Sequence, residues 1–254
     1  MRLRRTIGAP DKYPLGTPKY SNQHYRGRME INNLEGYNKL VGSESGNGII
    51  VCGCGSSIND FVPDDKTILF GVNDINRKLK TKYLICVNEP HTFKRGRFEW
   101  IQNHTSDIFF THLQSLAPNK REATVYFNLG ARNGIAIDNI GKIDFTANSP
   151  YMAVIIAHQL GASKIALIGV DLTPNHFFGD TGDHMLSRRA DDVNREYQLL
   201  GDTLINKGIK IANISSISKI TSWPTMSHDE FNKLIANVNG DCLAHKIGGD
   251  HGTA

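Results

Sequence analysis

Four apolar runs in this chain are each followed at once by residues able to handle a phosphate, a sugar or a proton. The run at 49–52 is followed by Gly53-Cys54-Gly55-Ser56-Ser57, and the run at 68–72 by Asn73 and Asp74. The run at 83–87 is followed by Asn88, Glu89 and Pro90, and the run at 165–170 by Asp171. Ligands of open α/β sheets bind beyond the carboxyl ends of parallel strands, so if these runs are such strands their followers share one rim.

Each follower has its own chemistry. Gly53 and Gly55 permit tight turns, while Ser56 and Ser57 bring hydroxyls and backbone N–H groups to the start of a following helix, which suits an anionic phosphate. The run lacks the Lys-Ser/Thr ending of a Walker loop, and Ile58 stands where a dinucleotide fingerprint has its third glycine. A plain strand-to-helix turn would use the same residues. Asn73 and Asn88 carry amides that both donate and accept, and Asp171 can take both hydroxyls of a ribose.

These residues need a sheet to hold them. The runs at 49–52, 68–72, 83–87 and 108–110 are almost continuously apolar, as strands buried on both faces are, and 165–170 and 209–214 extend the set. One helix begins with Ser149 as N-cap and Pro150 at N1, carries Met152, Ile155, Ile156 and Leu160 as a stripe, and stops at Gly161. A second begins near Ser187, carries Val193, Tyr197, Leu200 and Leu204, and ends before Gly208. The expected fold class is α/β: a doubly wound, mainly parallel Rossmann-like sheet with helices on both faces.

The rest of the text divides into residues 1–46 as a partly ordered basic arm, 47–239 as the nucleotide-binding domain, and 240–254 as a polar, Gly-rich flexible tail. Residues 112–148 have no clear period and read as a loop or lid over the site. At 254 residues and 39% hydrophobic content the chain buries about three quarters of its unfolded surface without disulfides. Cys52 and Cys86 sit in apolar runs, and Cys52-x-Cys54 lacks the second pair of a structural zinc site, so the thiols read as buried or loop-packed. No apolar run reaches the ~18 residues of a membrane span, and the reading is a cytoplasmic protein.

Net charge is only +4, yet residues 1–28 hold Arg2, Arg4, Arg5, Lys12, Lys19, Arg26 and Arg28 against Asp11. Such an arm draws nucleic acid, anionic lipid or an acidic substrate through a salt-sensitive attraction, or is a solvated leader.

Residues 49–58 are similar to the Gly-x-Gly-Pro-Ser opening of bacterial sialyltransferases of glycosyltransferase family 42, and residues 148–171 resemble that family's second signature, a helix leading to a strand that ends Gly-hydrophobic-Asp. Related 6-hydroxymethylpterin diphosphokinases of the archaeal type share both elements. The likeness spans roughly residues 47–225, with Ser56 where the family has Pro and Pro150 where it has Gly. It implies nucleotide contacts at Gly55, Ser56, Asn73, Asn88, Ser149 and Asp171. It also implies a histidine base in the segment after the Gly-x-Asp strand, which here offers His176 and His184.

His184 is the preferred base, because Asp183 beside it raises its basicity and an imidazole titrates near neutral pH. Arg188 and Arg189 stand ready to neutralise a leaving phosphate, or merely decorate an exposed helix. No Asp-x-Asp motif is present, although Asp180, Asp183 and His184 are near enough in sequence to hold a divalent ion. The expected function is transfer of a sugar from a nucleotide-sugar donor, CMP-sialic-acid-like or another, to a hydroxyl acceptor, with no obligatory metal. Two other readings stand beside it: a magnesium-dependent pyrophosphokinase or nucleotidyl-type transferase on the same scaffold, and a nucleic-acid-associated protein that glycosylates a modified base.

Overall fold

The computed structural model describes residues 31, 33–114, 116, 121–180 and 185–236. Its first half runs through α1 (Glu35–Asn38), β1 (Gly48–Cys52), β2 (Ile68–Val72), β3 (Tyr83–Ile85), α2 (Arg97–Gln102), β4 (Ile108–Thr111), β5 (Thr124–Tyr126), β6 (Asn128–Arg132) and β7 (Lys142–Phe145). The second half continues with α3 (Ser149–Gln159), β8 (Lys164–Ile168), β9 (Asn175–His176), β10 (Gly179–Asp180), α4 (Met185–Arg188), α5 (Ala190–Asn206), β11 (Lys210–Asn213) and α6 (His228–Ala236).

Seven strands form one sheet in the order β11-β8-β1-β2-β3-β4-β5, and every pairing in it is parallel. The chain walks outward from β1 to β5 at one edge, then returns through α3 to place β8 on the other side of β1. That reversal makes the carboxyl ends of β1 and β8 the switch point of a doubly wound α/β sheet.

Alternation along the strands divides the core. Ile49, Val51, Phe70, Val72, Tyr83 and Ile85 pack on one face with α3 and α5, through residues such as Ile155, Tyr197 and Leu200. Ile50, Cys52, Leu69, Leu84 and Phe109 pack on the other, with Ile101 of α2 and Phe231 of α6. Both faces are covered, which is why the strands read as unbroken apolar runs rather than as alternation. Among the described residues no helix is long and apolar enough to cross a membrane.

Several local expectations change. The cap of α3 is Asn148, with Ser149 and Pro150 as its first helical residues. The helix carries no one-sided stripe, because residues 151–157 are all buried. Its outward face is covered by residues 134–141: the Tyr151 hydroxyl donates to the Gly134 carbonyl at 2.8 Å, and Gln159 Nε2 donates to the carbonyls of Ile137 at 2.9 Å and Asn139 at 3.2 Å. Residues 112–148, read as loop, therefore contain three short strands, one of which extends the main sheet. The helix expected from Ser187 is broken at Arg189 into α4 and α5, and the stop at Gly208 is real, with φ at +80°.

The start of the packed body also moves. Residues 33–46, assigned to the arm, join it: Tyr37 is buried and its hydroxyl donates to Gln159 Oε1 at 2.7 Å. Glu44 is buried and accepts from Lys82 Nζ at 2.6 Å and Asn47 Nδ2 at 2.9 Å, and from the Tyr83 hydroxyl. The basic residues from Arg2 to Arg28 and the tail at 240–254 lie outside the described residues.

Two glycines at the switch point are required by close approach. A Cβ on Gly53 would lie 2.4 Å from the Gly169 carbonyl oxygen, and one on Gly55 would lie 2.4 Å from Asp171 Oδ2 and 2.7 Å from the same carbonyl. Gly53→Ala is expected to destabilise by about 2–3 kcal/mol, because backbone must move to admit the methyl. Gly36→Ala, where nothing lies within 4 Å of the new atom, should stay within about 1 kcal/mol of the parent. Urea unfolding of the full chain checks both, and equal midpoints for the two variants would contradict the packing.

Candidate functional site

The loops after β1 and β8 interlock before they meet anything else. Gly53 N–H donates to the Ile168 carbonyl at 2.8 Å and Gly55 N–H to the Gly169 carbonyl at 2.7 Å. Asp171, buried at 2% exposure, accepts from Ser57 N–H at 2.8 Å on Oδ2, and on Oδ1 from the Ser57 hydroxyl at 2.6 Å and the Ser215 hydroxyl at 2.8 Å. Gly169 N–H returns a bond to Ser57 Oγ at 3.0 Å.

This lattice bears on what the loop can offer a phosphate. Of the Ser56 and Ser57 groups expected to meet one, the Ser57 N–H and hydroxyl are already donated to Asp171, as the N–H groups of Gly53 and Gly55 are to the β8 loop. Only one 3-10 turn, Ser56–Asn59, follows the loop instead of an α-helix, so no helix N-terminus stands there. Asp171 uses both oxygens to brace three loops, through three of the roughly four bonds that a carboxylate can accept.

Beyond the strand ends opens a cleft of about 700 Å³, within the usual range for a small-molecule site. Of the residues singled out from sequence, Gly53, Gly55, Asn73, Asn88, Ser149 and Asp171 line it. Ser56, Ser57, Arg188 and Arg189 are not among its lining residues. Arg189 is turned to α5, with Nε 3.2 Å from Asp192 Oδ2 and Nη2 3.8 Å from Glu196 Oε1. Asp183 and His184 lie outside the described residues.

Two side-chain amides of the wall have unmet needs. Asn73 sits in the left-handed region at φ +56°, and its Oδ1 is buried without a hydrogen-bond partner among the described residues. Asn148, 3% exposed, has its Nδ2 buried without one among them. The wall thus holds one orphan acceptor and one orphan donor, each costing roughly 1–3 kcal/mol until a partner arrives. Leu172, also on the wall, is held at φ +55°, a conformation that costs a non-glycine residue about 1 kcal/mol or more.

The segment after β3 supplies cations that sequence reading passed over. Lys94 lines the cleft, is exposed and has no ion pair among the described residues. Arg97 also lines it, but its guanidinium forks onto the fully buried Asp74, Nε to Oδ2 at 3.0 Å and Nη2 to Oδ1 at 2.5 Å. His176 completes the wall from the β9–β10 hairpin, which an isolated bridge between Gly55 and His176 and a 3.0 Å bond from Phe177 N–H to the Cys54 carbonyl hold against the first loop. The residues 92–97 that supply Lys94 and Arg97 carry no motif of their own, and only the sheet order brings them to the switch point.

No family model matches the sequence, and a comparison with curated proteins gives no match. Solved structures do match. The chain is similar to the MAf glycosyltransferase from Magnetospirillum magneticum AMB-1, with a TM-score of 0.50 and 13% identity over 78% of this chain. The two chains share an α/β Rossmann-like fold. The matched chain is much longer, and only 38% of it is covered. The sialyltransferase CstII from Campylobacter jejuni, in complex with the substrate analogue CMP-3FNeuAc, aligns with a TM-score of 0.45 and 13% identity over 71% of this chain and 86% of its own. A CST-II structure with CMP and a trisaccharide acceptor aligns over the same shares at 16% identity and a TM-score of 0.45.

Two outcomes follow from this geometry. Asp171→Asn replaces one buried oxygen by an NH2 donor, which meets either the Ser57 N–H or the Ser57 and Ser215 hydroxyls, and removes the charge that strengthens these bonds, so a loss of about 2 kcal/mol is expected. Thermal unfolding measures it, and an unchanged midpoint would show that the carboxylate does not brace the loops. Burial lifts the Cys86 thiol up to about 12 and pushes Cys52 and Cys54 higher still. At about pH 8 these thiols stay protonated, and Cys52 and Cys86 are also buried, so iodoacetamide should modify neither of those two in the native chain and both in denaturant. Mass spectrometry reads the sites, and native labelling of Cys52 or Cys86 would contradict the burial.

Proposed function

We propose that the chain transfers a sugar from a nucleotide-sugar donor, held in this cleft, to a hydroxyl acceptor. The observation that carries the reading is the pair of orphan amide atoms, Asn73 Oδ1 and Asn148 Nδ2, on the wall of one cleft at the switch point of the sheet. A nucleoside offers donors and acceptors on both base and ribose, and so meets two opposite needs with one ligand. Asn88 and Ser149 supply further polar groups. The fold shared with a glycosyltransferase supports the reading without deciding it.

Lys94 takes the role that the sequence suggested for Arg188 and Arg189, because it is on the wall and unspent. His176 takes the role of base, being the described histidine that lines the cleft, and His184 with Asp183 is the alternative from sequence. In the reaction the acceptor oxygen bonds to the anomeric carbon as the bond from that carbon to the donor phosphate breaks. The acceptor proton passes to the neutral imidazole, and the nucleotide leaves with its new charge facing Lys94.

Calorimetric titration of the full chain with CMP, UDP and GDP tests the first step. At least one should bind, and Asn73→Ala and Asn148→Ala should each weaken that nucleotide about tenfold. Lys94→Met should weaken it by a similar factor, while Arg188→Met leaves it unchanged. Silence from all three nucleotides at millimolar concentration sinks the proposal. Magnesium-dependent consumption of ATP would instead assign the cleft to pyrophosphoryl transfer.

A further inference from the structure

The hairpin that carries His176 is too short to hold itself, since each of its strands, β9 and β10, has only two residues. Its side chains are held from outside. The His176 ring stacks on Phe178 at 5.1 Å between centroids and 22° between planes. Two guanidiniums also lie against the Phe178 ring: that of Arg97 is 4.5 Å from the ring centroid and that of Arg77 is 5.2 Å from it. Arg77 also lies 5.7 Å from the Phe177 ring.

Both arginines are fixed by one carboxylate. Asp74, fully buried, takes the two-pronged contact of Arg97 already described and lies 3.6 Å from Arg77 Nη1. A guanidinium on a free side chain would hold a ring only loosely, whereas one locked in a bidentate fork has already given up its rotamer freedom. Burying such a pair adds little net stability compared with apolar packing. What it adds here is a fixed plane against which Phe178 must lie.

We infer that Arg97 is a positioning residue for His176: Asp74 orients the Arg97 guanidinium, the guanidinium seats Phe178, and Phe178 sets the imidazole at the cleft. The inference rests on the reading of His176 as the base, and it gives a function to three residues that need not touch the substrate.

Diethyl pyrocarbonate labelling of the full chain, read histidine by histidine in a mass spectrometer, tests it without any substrate. His158, bonded to Asp138 at 3.0 Å on the far end of α3, is the internal reference. Phe178→Leu and Arg97→Met should each raise the labelling rate of His176 about fivefold and leave His158 unchanged. Arg97→Lys keeps the charge but loses the fork, and should restore only part of the protection. If Arg97→Met also exposes His158, the fold has opened and Phe178→Leu decides. His176 labelling within about twofold of the parent in Phe178→Leu overturns the inference. With a donor that the chain turns over, Arg97→Lys should lower kcat at little change in KM, and an unchanged kcat would also overturn it. Should no donor be turned over, the function falls while the labelling still judges the hairpin.

Discussion

One buried carboxylate ties together the carboxyl ends of three neighbouring strands. Asp171 follows β8, accepts two bonds from Ser57 in the loop after β1, and accepts a third from Ser215 in the loop after β11. Charge-assisted bonds of this kind contribute roughly 1.5–3 kcal/mol each, and they act where the sheet reverses direction. They add to the backbone bonds of Gly53 and Gly55 in keeping the loops within the distances that these two glycines allow. The cleft has a defined wall because these loops cannot drift, and the left-handed Leu172 next to Asp171 shows that the bracing is strong enough to hold a strained residue.

A second buried carboxylate, Asp74, organises the residues after β2 and β3. It comes directly after Asn73 at the end of β2, so the residue that presents an unmet acceptor is chained to the residue that anchors Arg97 and Arg77. The two carboxylates divide the labour. Asp171 uses neutral donors and fixes backbone, whereas Asp74 uses cations and, through aromatic rings, fixes the hairpin. The cleft is lined by the amides of Asn73, Asn88 and Asn148 and by the cation of Lys94, a set that suits a ligand with a polar ring and a phosphate.

Much of the sheet was legible because burial on both faces leaves a plain trace: residues 49–52 and 68–72 are apolar at every position and are strands almost to the residue. The rule that ligands gather beyond strand ends then brought Asn73, Asn88 and Asp171 to one rim, and all three line the cleft. What the rule does not convey is how a follower is spent. Asp171 and Ser57 look the same in sequence whether they hold a ligand or each other, and only the spatial meeting of residues 114 positions apart decides between those uses.

Asn148 and Ser149 illustrate the same limit at one step of chain, since both are good capping residues and only the backbone angles tell which stands outside the helix. Residues 124–145 were missed because their strands are only three to five residues long, β5 and β6 are largely half-buried, and the buried stretch of β7 is interrupted by Asp144, so they carry no period. The claim on which the rest depends is that the orphan atoms of Asn73 and Asn148 are met by a nucleotide. A crystal structure of the full chain soaked with the tightest-binding nucleotide tests this most directly. The account predicts ligand atoms within hydrogen-bond distance, about 3 Å, of both Asn73 Oδ1 and Asn148 Nδ2, and a nucleotide seated elsewhere with both atoms still unpartnered would contradict it.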